Sequence, residues 1–224
     1  MSKPVTPPQV HTVGGIGLSP EFAALVMQAS PSVALITSAT EAGSQTHLQE
    51  GTSFCVDTRG FFLTAFHHVK GSSSWYIFTG GGVVPLTLVA VEEKLDLALF
   101  KVKQSQCQFV PLELATLPLE KDELVVGVGF QAGRLIVSPA AYVACYQGQF
   151  VDGTDPQQPR VSCPTLPGAA WFIVDGIDLS GFSGGPLLNA GGKVVAVTEM
   201  GDGDMFIAGT SAQDVLNFLA ANLS

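Results

Sequence analysis

Short apolar segments separated by turn-forming residues are the feature of this 224-residue chain that most restricts its fold. Most of them run for about four to eight residues before glycine, proline, serine or a charged residue interrupts them, which is the length of a strand in a sandwich or barrel. The 25 glycines and 14 prolines are spread along the chain without a period, so they favour many turns and exclude a collagen-like repeat. The sequence therefore predicts an all-β protein with roughly a dozen strands.

The predicted strands follow one another from residue 33 to residue 207. They cover residues 33–37, 52–56, 61–65, 74–78, 83–91, 97–102, 124–128, 135–137, 140–145, 171–174, 193–197 and 205–207. Two segments have helical spacing instead: residues 21–28, which end ahead of Pro31, and residues 211–223, with Thr210 or Ser211 as N-cap. The polar stretch 148–159 predicts an exposed loop, and residues 114–122 predict a crossover between two halves of similar strand count.

The charge balance and the apolar runs exclude several classes of protein. With 10 basic and 19 acidic residues the net charge is −9, which argues against a nucleic-acid partner or an anionic membrane surface. No run approaches the ~18 apolar residues of a membrane span. The first eleven residues lack the apolar core of a secretory signal, so we expect a cytoplasmic or otherwise intracellular protein.

The four cysteines do not form a recognisable metal or disulfide pattern. They are Cys55, Cys107, Cys145 and Cys163, with no Cys-x-x-Cys pair among them. We therefore predict no metal site and mostly buried thiols, and a bridge between two of them stays open.

The sharpest chemical signal is a serine between glycines, in the stretch Ser-Gly-Phe-Ser-Gly-Gly-Pro at residues 180–186. Glycine permits a tight turn that leaves the hydroxyl of Ser183 exposed with backbone N–H groups beside it. This arrangement suits a nucleophile in acyl transfer, although a glycine-rich turn between strands would give the same pattern. The partners of Ser183 decide between the two interpretations.

A serine nucleophile needs a base. All the histidines precede Ser183 in the chain: His11, His47, His67 and His68. An α/β-hydrolase requires a histidine after its serine, so this order excludes that class. His67 and His68 end the apolar segment 61–66; on a strand their rings would face opposite ways, and only one could meet a given partner.

Asp96 is the candidate for the group that orients the base. It lies between Leu95 and Leu97 at the mouth of a predicted strand. A carboxylate that is partly buried there needs a partner such as an imidazole N–H, although a solvated acid at a strand edge is an equal alternative.

Several segments match motifs of one known family. Residues 51–57 with 60–67 look like a strand pair ending in Thr-Ala-x-His, and residues 96–101 look like an Asp-Leu-Ala-x-x-Lys strand. Residues 30–33 read Ser-Pro-Ser-Val, and residues 171–189 look like a nucleophile region. Over residues 21 to 220 the chain resembles the trypsin-like serine proteases, within them the HtrA (DegP-like) branch, and its chain order His, Asp, Ser agrees.

The resemblance implies a role for each matching residue. Ser183 would be the nucleophile, His67 the general base and later acid, and Asp96 the group that fixes the histidine tautomer. The backbone N–H groups of Gly181 and Ser183 would form the oxyanion hole. The resemblance further implies a serine endopeptidase that acts through an acyl-enzyme on polypeptide substrates, with no cofactor and no metal.

The resemblance also implies where specificity arises. Ile177, six residues before the nucleophile, would lie at the base of the pocket for the side chain preceding the scissile bond, with Thr198 and Met200 near its wall. An aliphatic floor offers no counter-charge, so we expect preference for small or medium apolar side chains. An acid such as Asp178 or Glu199 reaching the pocket would favour Lys or Arg instead.

Two residues depart from the family pattern. His68 stands where secreted trypsins usually carry a disulfide cysteine. Phe182 stands where those enzymes carry the acid that pairs with a freed N-terminus, and where HtrA proteases usually have a polar residue. We therefore expect no activation by N-terminal cleavage, and the stability of the oxyanion loop becomes a question for the structure.

The implied fold is two six-stranded Greek-key β-barrels with a C-terminal helix. We expect an extended N-terminal arm over residues 1–20, a first barrel carrying His67 and Asp96 over residues 21–118, and a second barrel carrying Ser183 and the helix over residues 119–224, with no PDZ domain after it. The alternative function is a catalytically silent protease-like barrel used for binding or assembly. The presence of all three triad residues favours the endopeptidase, and a homo-oligomer stays open.

Overall fold

The computed structural model describes residues 9–10, 18–42, 45–79, 82–103, 108–146, 149–151, 159–162, 169–173, 181–201 and 206–223. The strands are β1 (Gln9–Val10), β2 (Val33–Ala42), β3 (Gln45–Asp57), β4 (Phe61–Ala65), β5 (Ser74–Thr79), β6 (Gly82–Glu92), β7 (Leu97–Val102), β8 (Leu124–Gln131), β9 (Arg134–Tyr146), β10 (Gln149–Val151), β11 (Pro159–Ser162), β12 (Ala169–Ile173), β13 (Pro186–Leu188), β14 (Val194–Gly201) and β15 (Phe206–Ser211). The helices are α1 (Pro20–Ala29) and α2 (Ala212–Asn222), and 3-10 turns form at Ser30–Ser32, Phe66–His68 and Glu93–Leu95.

The first barrel closes from strands β2 to β7, in the order β2-β3-β4-β7-β6-β5. Alternate residues of these strands point inward, as the period of two in a strand requires. Their buried side chains form one core cluster: Ala34, Ile36, Cys55, Phe62, Val69, Ile77, Val84, Leu86, Ala98, Phe100 and Val102. Cys55 is a buried free thiol, and burial raises its pKa to about 11.

The second half is a sheet in the order β1-β9-β12-β15-β14-β13-β8, in which β8 also pairs with β9. Because β8 pairs with β9, a ring closes from the six strands β9, β12, β15, β14, β13 and β8, and β1 is attached outside it. A second pair, β10 with β11, stands apart from this sheet. These elements confirm the predicted all-β fold with a C-terminal helix.

A shared core and two capped helices join the halves. The cluster contains Phe54 and Leu63 of the first barrel with Val126 and Val197 of the second, and Val215 of α2 packs into it. Ser19 caps α1 by accepting from the Phe22 N–H at 3.3 Å, and Ser211 caps α2 by accepting from the Asp214 N–H at 3.3 Å. Ser211, one of the two predicted caps, is therefore the N-cap of the C-terminal helix.

Three local predictions were wrong. Residues 135–137 and 140–145 belong to the single strand β9, which continues through Pro139. Proline is tolerated there because β1 pairs with β9 before this position and β12 pairs with β9 after it, so neither strand needs an N–H from Pro139. The predicted loop 148–159 contains β10 at its start. Residues 9–10 of the predicted N-terminal arm pair in parallel with β9 instead of lying unpacked.

No helix in the described ranges is long and apolar enough to cross a membrane.

Candidate active site

His67 and Asp96 lie side by side because two neighbouring strands end at the same edge of the first barrel. Strand β4 ends at Ala65, which pairs with Leu97 at the start of antiparallel β7. The chain continues past Ala65 into the 3-10 turn that holds His67, and Asp96 directly precedes Leu97. The backbone carbonyl of Asp96 accepts from the Phe66 N–H at 2.8 Å, which fixes the turn in place.

The side chains of His67 and Asp96 are hydrogen-bonded. Oδ1 of Asp96 accepts from the His67 backbone N–H at 2.8 Å, and Oδ2 contacts His67 Nδ1. An ionised carboxylate only accepts, so Nδ1 carries the proton and a neutral ring leaves Nε2 as an acceptor. Burial favours the neutral acid, but hydrogen bonds from His67 and Glu199 outweigh it and hold the pKa of Asp96 below its usual value.

Asp96 takes a left-handed backbone conformation, with φ at 51°. Aspartate tolerates this region better than most residues, and the conformation turns its carboxylate back toward His67. The strain is thus located at the carboxylate that orients the candidate base.

The prediction that His67 and His68 face opposite ways from a strand was wrong. Both lie in the 3-10 turn Phe66–His68, and their ring centroids are 4.3 Å apart. His67 is partly exposed and contacts Asp96, whereas His68 is buried against Gly51. Burial, with the charge of His67, lowers the pKa of His68 to about 4, so His68 is neutral near neutral pH.

The loop that carries Ser183 is fastened to the first barrel through Thr52. The Thr52 N–H donates to the Ser183 carbonyl at 3.0 Å, and its hydroxyl donates to the Gly181 carbonyl at 2.8 Å. The same hydroxyl accepts from the Phe130 N–H at 2.8 Å. Thr52 therefore connects the loop to strands of both barrels, a role that its place in a predicted strand did not reveal.

The loop approaches the first barrel so closely that a side chain cannot fit between them. Gly184 has φ at 82°, and a Cβ there would lie 2.3 Å from the Thr52 carbonyl oxygen and 2.7 Å from the Ala65 nitrogen. Ala65 is only two residues before His67, so Ser183 lies beside the end of the strand that leads to the histidine. The glycine in this position is required by both its backbone angle and the space.

Phe182 anchors the loop on its other side. Its side chain is buried over two glycines of β8: a Cβ at Gly129 would lie 2.6 Å from the ring, and one at Gly127 would lie 2.7 Å from it. Gly127 and Gly129 are two residues apart on one face of the strand, so together they form a recess for the ring. Phe182, which stands where the resembling proteases have a polar residue, thus holds the loop by apolar packing.

Two backbone amides of this loop have no backbone acceptor among the described residues. Within the described part of the chain, the N–H groups of Gly181 and Ser183 donate to no backbone carbonyl, whereas those of Gly184 and Gly185 donate to Thr198 and Phe182. The Ser183 hydroxyl and His67 form no hydrogen bond among these residues. Such contacts are often long before substrate binds and shorten in the complex.

Glu199 is a further acid at the site, and its contact with Asp96 was not predicted. Its side chain is 1% exposed, and one ligand atom from each of His67, Asp96 and Glu199 lies within 4.8 Å of the others. Such a group could hold a cation, but His67 and Asp96 already bind each other. From the sequence, Glu199 was predicted only as a possible acid of the specificity pocket, because its position between Thr198 and Met200 carries no signal of this contact.

The predicted specificity residues are only partly described. Ile177 and Asp178 lie outside the described residues. Thr198 is buried, and its backbone holds the loop: its N–H donates to Gly185 at 2.8 Å and its carbonyl accepts from Gly184 at 2.6 Å. The backbone of Met200 lies in β14, and its side chain is outside the description.

Known structures share this fold. The Rv3671c protease from M. tuberculosis in its active form is 23% identical with a TM-score of 0.73, covering 97% of this chain and 91% of that one. Its inactive form is 22% identical with a TM-score of 0.69, covering 96% and 99%. A comparison with curated protein sequences gives no match.

A family model gives the assignment in sequence. The model of the trypsin-like peptidase domain matches residues 51–197, a stretch that begins beside Thr52 and includes His67, Asp96 and Ser183. It therefore covers more than half of the chain. The chain belongs to the trypsin-like peptidase domain family.

Proposed function

We propose that this protein is a serine endopeptidase of the HtrA branch that cleaves polypeptides through an acyl-enzyme on Ser183. The observation that carries the proposal is the hydrogen-bonded pair of His67 and Asp96 next to the loop that presents Ser183. A tethered Nδ1 proton leaves Nε2 of His67 to accept the proton of a serine hydroxyl.

The reaction balances with these groups alone. Ser183 Oγ attacks the carbonyl carbon of the scissile bond while its proton moves to His67 Nε2. The N–H groups of Gly181 and Ser183 stabilise the oxyanion. The tetrahedral intermediate collapses, the C–N bond breaks, and the leaving amine takes the proton from His67. Water then repeats the sequence on the ester and releases the acid and free Ser183.

The packing of Phe182 supports a loop that needs no new N-terminus to hold its conformation. Burial of an aromatic side chain in a matched recess stabilises the loop without a charged partner. This packing favours the endopeptidase over the silent binding module, because the binding module requires an oxyanion hole that fails to form.

Covalent labelling tests the proposal. A fluorophosphonate probe should label the wild type at Ser183, and Ser183→Ala should remove the adduct and lower kcat by a factor on the order of 10⁶. Ser53→Ala, in a buried serine of the neighbouring strand, serves as the matched control and should retain labelling. A folded wild type that never labels would support the binding module.

Specificity is the finer part of the proposal. We keep Ile177 as the floor of the pocket and expect cleavage after small or medium apolar residues. A peptide library digested by the wild type and scored by cleavage position checks this. Dominant cleavage after Lys or Arg would show that an acid lines the pocket.

A further inference from the structure

We propose that Glu199 is a positioning residue for the Asp96–His67 pair. Its carboxyl group stays protonated and donates a hydrogen bond to Asp96, and the loss of this proton limits activity at high pH. This inference rests on the proposed function and adds a pH-dependent control to the same site. It concerns a residue that takes no direct part in bond making.

The backbone aims Glu199 at the site. In the pairing of β14 with β15, Thr198 faces Gly209 and Met200 faces Ala208, so Glu199 is the extra residue of a bulge. A bulge breaks the alternation of side chains along a strand and is a common way to redirect one toward an active site. Glu199 is buried at this bulge.

The surroundings favour a neutral Glu199. Its carboxyl oxygens are buried, and one of them lies within 4.8 Å of an Asp96 oxygen. Two carboxyl groups so close and so little hydrated retain one proton between them. Hydrogen bonds from His67 and Glu199 hold the pKa of Asp96 below its usual value against the effect of burial, which assigns the charge to Asp96 and the proton to Glu199.

The neighbouring elements supply the other groups that face this pair. The 3-10 turn Phe66–His68 contributes His67 and His68, and the pKa of His68 is lowered by burial to about 4, so His68 adds no positive charge near neutral pH. Among the other elements packed against β14, the strands β4, β13 and β15 contain no titratable residue, and α2 contributes Asp214, whose carboxylate accepts from the Ser211 hydroxyl at 2.8 Å. The state of Glu199 is therefore set mainly by Asp96 and His67.

Ionisation of Glu199 would change the base. Its proton leaves to solvent, the hydrogen bond to Asp96 is lost, and two carboxylates then face His67. The two carboxylates repel each other, so Asp96 no longer holds the Nδ1 proton in the place that directs Nε2 of His67 toward Ser183. Activity should therefore fall at high pH as Glu199 ionises.

The pH profile of kcat/KM tests this. The wild type should show an acid limb and an alkaline limb that falls about tenfold per pH unit. Glu199→Gln still donates an N–H to Asp96 but cannot ionise, so it should keep the acid limb and lose the alkaline limb. Glu199→Ala removes the donor and should lower kcat on the order of 10- to 100-fold at every pH.

A matched control carries the same chemical change at an exposed acid. Glu113 pairs with Lys193 at 3.2 Å on the surface, and Glu113→Gln should leave both limbs unchanged. An alkaline limb that persists unchanged in Glu199→Gln would overturn the proposal.

A second measurement separates this proposal from the proposed function. In the Ser183→Ala background, NMR of the His67 ring follows its titration without catalysis. The ring should show a second step at high pH, and Glu199→Gln should remove it. If no variant hydrolyses peptides but the second step depends on Glu199, the inference stands and the proposed function fails; if hydrolysis depends on Ser183 and no second step occurs, the inference fails alone.

Discussion

Replacing His68 with leucine should make the protein more resistant to acid. The ring is buried against Gly51, and its two nitrogens form no hydrogen bond within the described part of the chain. Leucine is of similar volume and removes a group that must not become charged. We therefore expect little change in the free energy of unfolding at pH 7.5 and a gain as the pH falls.

The magnitude follows from the pKa of His68. Burial, together with the charge of His67, lowers it from 6.5 to about 4 in the folded protein. The unfolded chain binds the proton first, so folding loses stability as the pH falls from 6.5 to about 4. A gap of about 2.5 pH units at about 1.4 kcal/mol each amounts to about 3.5 kcal/mol, of which about 3 kcal/mol is lost by pH 4. The lowered pKa of Asp96 acts below this window, because its stabilisation is lost only as that carboxylate protonates.

Urea unfolding at pH 7.5, 6, 5 and 4 measures the effect. The wild type should lose about 3 kcal/mol across this range more than His68→Leu does. His47→Gln removes an exposed histidine from β3 and should follow the wild type. If His68→Leu and the wild type lose stability in parallel, the ring is not held neutral by burial and the reasoning fails.

Three further outcomes are expected. Asp96→Asn should lower kcat on the order of 10⁴-fold, because an amide favours the wrong imidazole tautomer. The Tm should change little, because asparagine tolerates the same backbone angle. Unchanged kcat would assign the orienting role to another acid. Phe182→Ala should cost about 3–5 kcal/mol in urea unfolding and slow fluorophosphonate labelling, and normal labelling would show that the loop does not depend on the ring. Cys55, whose pKa burial raises to about 11, should resist maleimide at pH 8 until the protein unfolds, and rapid labelling of the native protein at Cys55 would contradict its burial.

The fold was predictable because its signals are local. Strand lengths, turn residues and the helix caps lie within a few positions of one another, and these predicted an all-β chain with a helix near residue 211. The pairing of Ala65 with Leu97 then explains why His67 meets Asp96, two residues that the sequence selected by motif. The catalytic roles of these residues stay predictions until labelling and kinetics are measured.

The features that sequence missed depend on contacts between distant segments. Phe182 reads as an odd residue in a glycine-rich turn, and only the approach of β8 shows that Gly127 and Gly129 receive its ring. Glu199 reads as an acid in a strand, and the bulge that redirects it exists only in the pairing of β14 with β15. The turn at Phe66–His68 was missed because an apolar run does not indicate where its strand stops.

The bonds of Thr52 give the assembled site a reporter that needs no substrate. Its amide hydrogen is held by the Ser183 carbonyl, and the amide hydrogen of Phe130 is held by the Thr52 hydroxyl. Solvent deuterium can replace these hydrogens only when the contact between the barrels or the loop opens, and exchange rates measure the free energy of such openings. The two amides should therefore exchange together, at a rate that reports how often the nucleophile loop leaves its place.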